Sequence, residues 1–226
     1  MRDLPARIRR RGWRAWYRAK WLLWQRREQD RVRVRCIRGL TVQVRPGLLD
    51  PAWFFSSDVL VDALGSQVRV GDRVLDMGTG TGIGALAAAR AGASAVVATD
   101  VDPEAVACAR GNVAGDPRIE VRAGDLFGPV TGERFDLVAF NPPWLDEGGD
   151  ETHRVALRLD RSLPARFANG LGDHLVPGGR AIIVLSTAGD AEGWLAPLRD
   201  AGFRPAPVVT RHRGSELLTA WQVETP

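Results

Sequence analysis

Residues 74–84 read Val74-Leu75-Asp76-Met77-Gly78-Thr79-Gly80-Thr81-Gly82-Ile83-Gly84. An apolar run ends in an acid, glycine then recurs at every second position, and an Ala-rich stretch follows. This is the pattern of a buried strand that turns tightly into a helix, with backbone free to approach a ligand closely. Such a turn can cradle a dinucleotide pyrophosphate, but Asp76 at its start would repel that group and suits a cation or its water shell. A second acid, Asp100, closes the next apolar run, Val96-Val97-Ala98-Thr99-Asp100. A carboxylate there can take both hydroxyls of a ribose. Asp125 follows the third run and can accept from an adenine amino group. Acids at three successive strand ends suit an adenosyl group that carries a sulfonium and an ammonium.

The fourth run ends in Phe140-Asn141-Pro142-Pro143-Trp144. Two prolines fix the backbone and remove two donors, which leaves carbonyls free. Asn141 adds a side-chain acceptor and Trp144 a flat face for a planar group. Together they can grip a planar amide or exocyclic amine by its N–H bonds and present the nitrogen lone pair. Other groups able to do chemistry are weaker. His153 and His174 sit in polar surroundings and His212 beside two arginines, as surface histidines do. Asp58, after Phe54-Phe55-Ser56-Ser57, either closes over the ligand or caps a helix. Cys108 falls on the core side of a helical pattern.

The elements that must position these groups follow from periodicity. Apolar runs at 73–76, 95–99, 119–123, 137–140 and 180–185 alternate with helical stretches that include 85–91 and 103–112. Short buried strands alternating with helices predict a parallel sheet covered on both faces. Runs at 207–213 and 216–223 are joined only by Gly214-Ser215 and predict an antiparallel hairpin at the sheet's end. Earlier, Val32, Val34 and Cys36 alternate with Arg31, Arg33 and Arg35. After Gly39, Val42 and Val44 alternate with Gln43 and Arg45, which completes a two-stranded hairpin. Residues 6–29 predict a helix with Trp13, Tyr17, Trp21 and Trp24 on one face and Arg7, Arg11, Arg14 and Arg18 on the other.

The 226 residues allow one full domain with an appendage, and 45% hydrophobic with 26% charged residues is globular composition. No apolar run approaches the roughly 20 residues of a membrane span. Cys36 and Cys108 stand far apart with no ligand-spaced partner, which argues against a disulfide framework or a zinc cage and for a cytoplasmic protein. The net charge of +4 hides an asymmetry. Residues 1–45 hold 15 Arg or Lys against three acids, and the remainder is acidic. The division is therefore a basic arm with its hairpin over 1–45 and a catalytic domain over 46–226. The aromatic face of the arm either packs on the domain, stacks with RNA while its arginines meet phosphates, or lies on a membrane surface.

On the glycine loop, the strand-end acids and the Asn-Pro-Pro-Trp tetrapeptide, the chain resembles class I S-adenosylmethionine (SAM)-dependent methyltransferases of the Asn-Pro-Pro-aromatic group. It resembles HemK-type, small-domain protein-glutamine methyltransferases, in a group that also includes adenine- or guanine-amino methyltransferases acting on DNA and RNA. The segment Leu175-Val176-Pro177-Gly178-Gly179 resembles that group's turn into strand five, and the closing hairpin resembles its terminal one. The resemblance implies a Rossmann-like fold: a seven-stranded, mostly parallel sheet with an antiparallel C-terminal hairpin. It implies SAM as cofactor and S-adenosylhomocysteine as product. The cofactor set would be Asp76, Gly78, Thr79, Gly80, Gly82, Asp100, Val101, Asp125, Leu126 and Asn141, and the catalytic set Asn141, Pro142, Pro143 and Trp144, with no metal. The group more often has Tyr or Phe where Trp144 stands, and residues 145–160, where a substrate lid is expected, match none of its patterns. The acceptor expected is a protein glutamine, a nucleobase amine or a small planar metabolite. Competing expectations are a natural-product tailoring enzyme, including another sulfonium displacement such as cyclopropane formation, and a non-catalytic nucleic-acid-binding subunit of the same fold.

Overall fold

The computed structural model describes residues 31–143, 160–214 and 216–225. The expected helix over 6–29, Trp144, His153 and most of the lid stretch lie outside the described residues. Seven strands form one sheet in the order β5-β4-β3-β6-β7-β9-β8, and two more form a separate hairpin. The sheet strands are β3 (Arg73–Met77), β4 (Ala95–Asp100), β5 (Ile119–Ala123), β6 (Phe135–Phe140), β7 (Leu175–Ser186), β8 (Arg204–Arg213) and β9 (Glu216–Glu224). Strands β5 to β7 of that order pair in parallel, and β9 pairs antiparallel with both β7 and β8. The hairpin strands are β1 (Arg33–Ile37) and β2 (Leu40–Val44). This is the Rossmann-like architecture expected from the sequence.

The helices are α1 (Pro51–Phe54), α2 (Ser56–Gln67), α3 (Ile83–Ala91), α4 (Pro103–Val113), α5 (Leu163–Leu171) and α6 (Ala191–Asp200). Their starts have local causes. Asp102 caps α4 by accepting from the Glu104 amide at 2.9 Å, and Pro103 begins it, where a missing N–H costs nothing. Asp190 caps α6 through the Gly193 amide.

Both faces of the sheet are dry because alternate strand residues point to opposite sides. Val74 and Leu75, neighbours in β3, are both fully buried and belong to different apolar clusters. Val74 joins Leu64, Ala85 and Ala88 beneath α2 and α3. Leu75 joins Phe135, Phe167 and Trp194 beneath α5 and α6. Phe140 and Trp194 meet edge to face at 5.7 Å, a favoured aromatic geometry.

In β1 the arginines, not Val34, turn inward, whereas in β2 Val42 and Val44 are buried. Arg33 and Arg35 turn toward the fully buried Asp50, and Arg35 Nε reaches its Oδ2 at 2.8 Å. Val34 on the opposite face is 62% exposed. Buried Ile37 and Val42 join the main core, and Asn112 of α4 both donates to and accepts from Gln43 of β2. Cys108 is buried as expected and donates to the Gln43 carbonyl at 3.2 Å. Among the described residues no helix is long and apolar enough to cross a membrane.

Candidate active site

The carboxyl ends of β3, β4 and β6 open into a cavity of about 450 Å³. Such crevices beyond parallel strand ends are where open α/β sheets bind ligands. The glycine loop forms its floor. Gly78 and Gly80 have φ of +64° and +56°, and the Thr79 amide donates to the Thr99 carbonyl of β4. Gly82 serves a different need. It does not line the cavity; a Cβ there would lie 3.1 Å from Val113 Cγ1 and 3.4 Å from Ala109, so its lack of a side chain lets α3 start against α4.

Asp76 is 2% exposed. Its Oδ2 accepts from Thr79 Oγ1 at 2.6 Å, and the Ala85 amide also donates to it. Burial raises its pKa to about 6, with nearby Asp100 adding to the rise and the two hydrogen bonds opposing it. Asp100 accepts from the Gly80 amide at 2.8 Å through Oδ2 and from the Asp102 amide at 3.0 Å through Oδ1. Burial lifts its carboxyl above the ordinary range against the pull of those amides. Asp100 therefore holds the glycine loop as well as facing the cavity.

Asp125 and Leu126 line the wall beyond β5, and Val101 sits beside Asp100. Asp125 is engaged by Arg166 of α5, whose guanidinium also meets Asp160 at 2.9 Å. Its carboxylate is thus shared between a side-chain cation and the cavity, and nothing in the spacing of Asp125 and Arg166 marks them as partners.

Beside β3, the end of β6 delivers Asn141, Pro142 and Pro143 to the wall. Asn141 Nδ2 donates to Ser56 Oγ at 3.0 Å. Asn141 Oδ1 is buried and has no hydrogen-bond partner among the described residues. An orphaned buried acceptor costs roughly 1–3 kcal/mol, which an incoming N–H would recover. Ser56 and Ser57, at the first turn of α2, line the same cavity, as do Leu48, Leu49 and Asp50 of the linker before α1.

Asp58 does neither thing expected of it. It lies outside the cavity and pairs with Arg38 at 3.3 Å, and α2 has no side-chain cap. His174 stacks on Phe127 at 4.4 Å, away from the cavity, and His212 is exposed on β8.

Among the described residues the cavity lining includes six aspartates, Asp50, Asp76, Asp100, Asp102, Asp125 and Asp160, against the single arginine Arg166. Asp50 is held by Arg35, Asp125 and Asp160 by Arg166, and Asp102 caps α4, which leaves buried Asp76 and part-buried Asp100 as a pair whose mutual repulsion a cationic ligand relieves. Those residues fit a sulfonium and ammonium ligand with a ribose diol.

Residues 52–200 match the family model described as methyltransferase small domain. A Methanocaldococcus jannaschii protein named as a protein N5-glutamine methyltransferase is 31% identical over 177 residues, 74% of this chain and 87% of that one. The release factor glutamine methyltransferase of Shewanella oneidensis is 36% identical over 108 residues, 46% of this chain and 38% of its own length. The fold is shared with the Thermus thermophilus 16S rRNA N2 G1207 methyltransferase solved with AdoMet and guanosine. That likeness has a TM-score of 0.61 at 24% identity, covering 87% of this chain and 50% of the other.

Proposed function

The chain belongs to the methyltransferase small domain family and is a SAM-dependent methyltransferase, and we propose that its acceptor is the side-chain amide nitrogen of a protein glutamine. The observation that carries this reading is Asn141 Oδ1, buried in the cavity wall just beyond β6, the strand beside β3, and unpartnered among the described residues. Asp100 would take the ribose hydroxyls, the glycine loop would pass beneath the amino-acid part, and Asp76 would balance its positive charge. When bound, SAM supplies a methyl group that is already electrophilic.

The chain's own task is then to position a weak nucleophile. Asn141 Oδ1 accepts one N–H of the acceptor amide, which fixes the plane of the nitrogen. Pro142 and Pro143 hold the backbone there without donors that would compete for the acceptor. Positioning of this kind is worth several orders of magnitude in rate when the attacking atom is weakly basic. A primary amide fits because it brings two N–H donors, no charge to desolvate and a flat outline.

The two relatives above are named for a glutamine acceptor, one of them for the release factor, while others are named tRNA adenine-N6 methyltransferases. A nucleobase amine presents the same N–H to Asn141, and the basic segment over 1–45 favours a nucleic acid. The acidic lining of the cavity disfavours one, since phosphates near Asp125 and Asp160 meet like charge. The test is transfer from methyl-labelled SAM to purified release factors and to total tRNA and rRNA, with the modified position read by mass spectrometry. A methyl group on a glutamine of the release factor is expected. Label found only on nucleic acid would overturn the glutamine reading.

A further inference from the structure

We propose that Ser56 is a positioning residue that locks the Asn141 amide with its oxygen toward the acceptor; this rests on the amide-activation reading above. The two residues are 85 positions apart and come from different elements, the start of α2 and the end of β6. Ser56 is 5% exposed, so its hydroxyl meets Asn141 Nδ2 with little competition from water.

The need for a lock is geometric. A primary amide side chain has an oxygen and a nitrogen of nearly equal size, and a half-turn about its last bond exchanges acceptor for donor. With the nitrogen turned inward, Asn141 would present N–H to the acceptor's N–H, and the site would repel the group it must hold. In the observed orientation Ser56 Oγ accepts from Nδ2, and Oδ1 is unpartnered among the described residues. With an acceptor N–H on Oδ1 the hydroxyl satisfies Nδ2, whereas the flipped amide would set two N–H groups face to face.

Ser56 is itself held in place. Phe55 before it has φ of +53°, the left-handed region that a bulky residue enters only under constraint. The Arg213 guanidinium, from the end of β8, lies 3.5 Å from the centre of the Phe55 ring. The left-handed residue breaks α1 from α2 and turns the first residue of α2 to the cavity, where both Ser56 and Ser57 line the wall. The C-terminal hairpin thus reaches the acceptor site through Phe55 and Ser56.

The test pairs kinetics with a readout that needs no acceptor. Ser56→Ala is expected to lower kcat on the release factor by about 10-fold, with SAM affinity unchanged by calorimetry, and Ser56→Thr to restore most of it. In the Asn141→Ala background Ser56→Ala is expected to have less than a twofold further effect, because its partner is gone. In the nitrogen-15 spectrum, the Asn141 side-chain amide protons are expected to exchange faster with water in Ser56→Ala than in the wild type or Ser56→Thr. An equal kinetic loss with and without Asn141, or an Asn141 amide unaltered by Ser56→Ala, would overturn the proposal. Should the wild type leave release factors unmethylated, the acceptor reading fails, and the Asn141 amide exchange still decides whether Ser56 holds it.

Discussion

A Cβ built on Gly84 would lie 2.4 Å from Oδ1 of Asp76, so the first turn of α3 and the buried carboxylate occupy neighbouring space with no room for a methyl group. The carboxylate cannot move aside cheaply, because Thr79 Oγ1 and the Ala85 amide both hold it. Gly84→Ala should therefore displace either the helix start or Asp76. A stability loss of about 1–3 kcal/mol is expected, the scale of overpacking a well-filled interior. SAM affinity should fall at least tenfold, measured by calorimetry beside thermal unfolding. Wild-type affinity in a stable Gly84→Ala protein would mean that Asp76 does not face the ligand.

Asp76 also makes a pH prediction. Its folded pKa of about 6 stands above its ordinary value of 3.8 because burial disfavours the charge. An acid raised by folding binds more protons folded than unfolded between those two values. Its contribution to stability is therefore greatest below pH 4 and declines as pH rises to 6, by about 3 kcal/mol at the conversion of 1.36 kcal/mol per unit. Asp76→Asn should lack this component, so the stability difference between the two proteins should change across that window and flatten above it. Binding of a cation has the opposite sign, since it favours the ionised carboxylate. SAM affinity should weaken as pH falls below 6, and binding near pH 6 should release a proton, visible as a dependence of the binding enthalpy on the buffer.

The three strand-end acids were legible as a set from spacing alone, but their partners were not. Asp76, Asp100 and Asp125 each end or follow a buried run, and a parallel sheet brings such ends together. Arg166 lies 41 residues beyond Asp125 and reaches it only because α5 packs over that end of the sheet. Ser56 lies 85 residues from Asn141, and nothing local marks a serine at a helix start as facing an asparagine on another strand. The start of β7 was read as a turn because Pro177-Gly178-Gly179 is turn chemistry, yet the strand begins at Leu175, paired to Phe135. Helices α5 and α6 were not marked either; Pro164, Gly170 and Pro197 interrupt their patterns, and burial of Phe167 and Trp194 outweighs those residues. In the hairpin, valines and arginines alternate equally well on either face. In β1 Asp50, 15 residues from Arg35, turns the arginine row inward, while in β2 the valine row packs into the apolar clusters.

The partners of two acids separate their expected roles in cofactor binding. Asp100 is mostly buried, holds Gly80 and Asp102, and lines the cavity where the ribose is proposed to sit. Asp100→Ala should weaken SAM binding on the order of 10-fold to 100-fold, by loss of charge-assisted hydrogen bonds and of loop support. Asp125 is half exposed and already engaged by Arg166, so water and the guanidinium compete for it. Asp125→Ala should cost less than 10-fold. Calorimetry of the two variants in one buffer checks the order, and an Asp125 variant weaker than the Asp100 variant would reverse the assignment.

Asn141 separates binding from chemistry. Asn141→Ala should leave SAM affinity within about twofold, because the cofactor contacts expected from Asp76, the glycine loop and Asp100 lie on β3 and β4, and Asn141 ends β6. Turnover should fall by roughly 10²-fold to 10⁴-fold, the scale for removing one positioned polar group from a reacting centre. The cause is orientation. Without Oδ1 the acceptor nitrogen loses the partner that fixes its N–H direction, and its lone pair no longer stays aimed at the methyl carbon. A loss confined to KM would show that Asn141 binds the acceptor equally in the ground and transition states. Wild-type turnover by Asn141→Ala would remove nitrogen activation altogether. The orphaned oxygen would then only shape the cavity, and a displacement at an acceptor carbon would explain the site better.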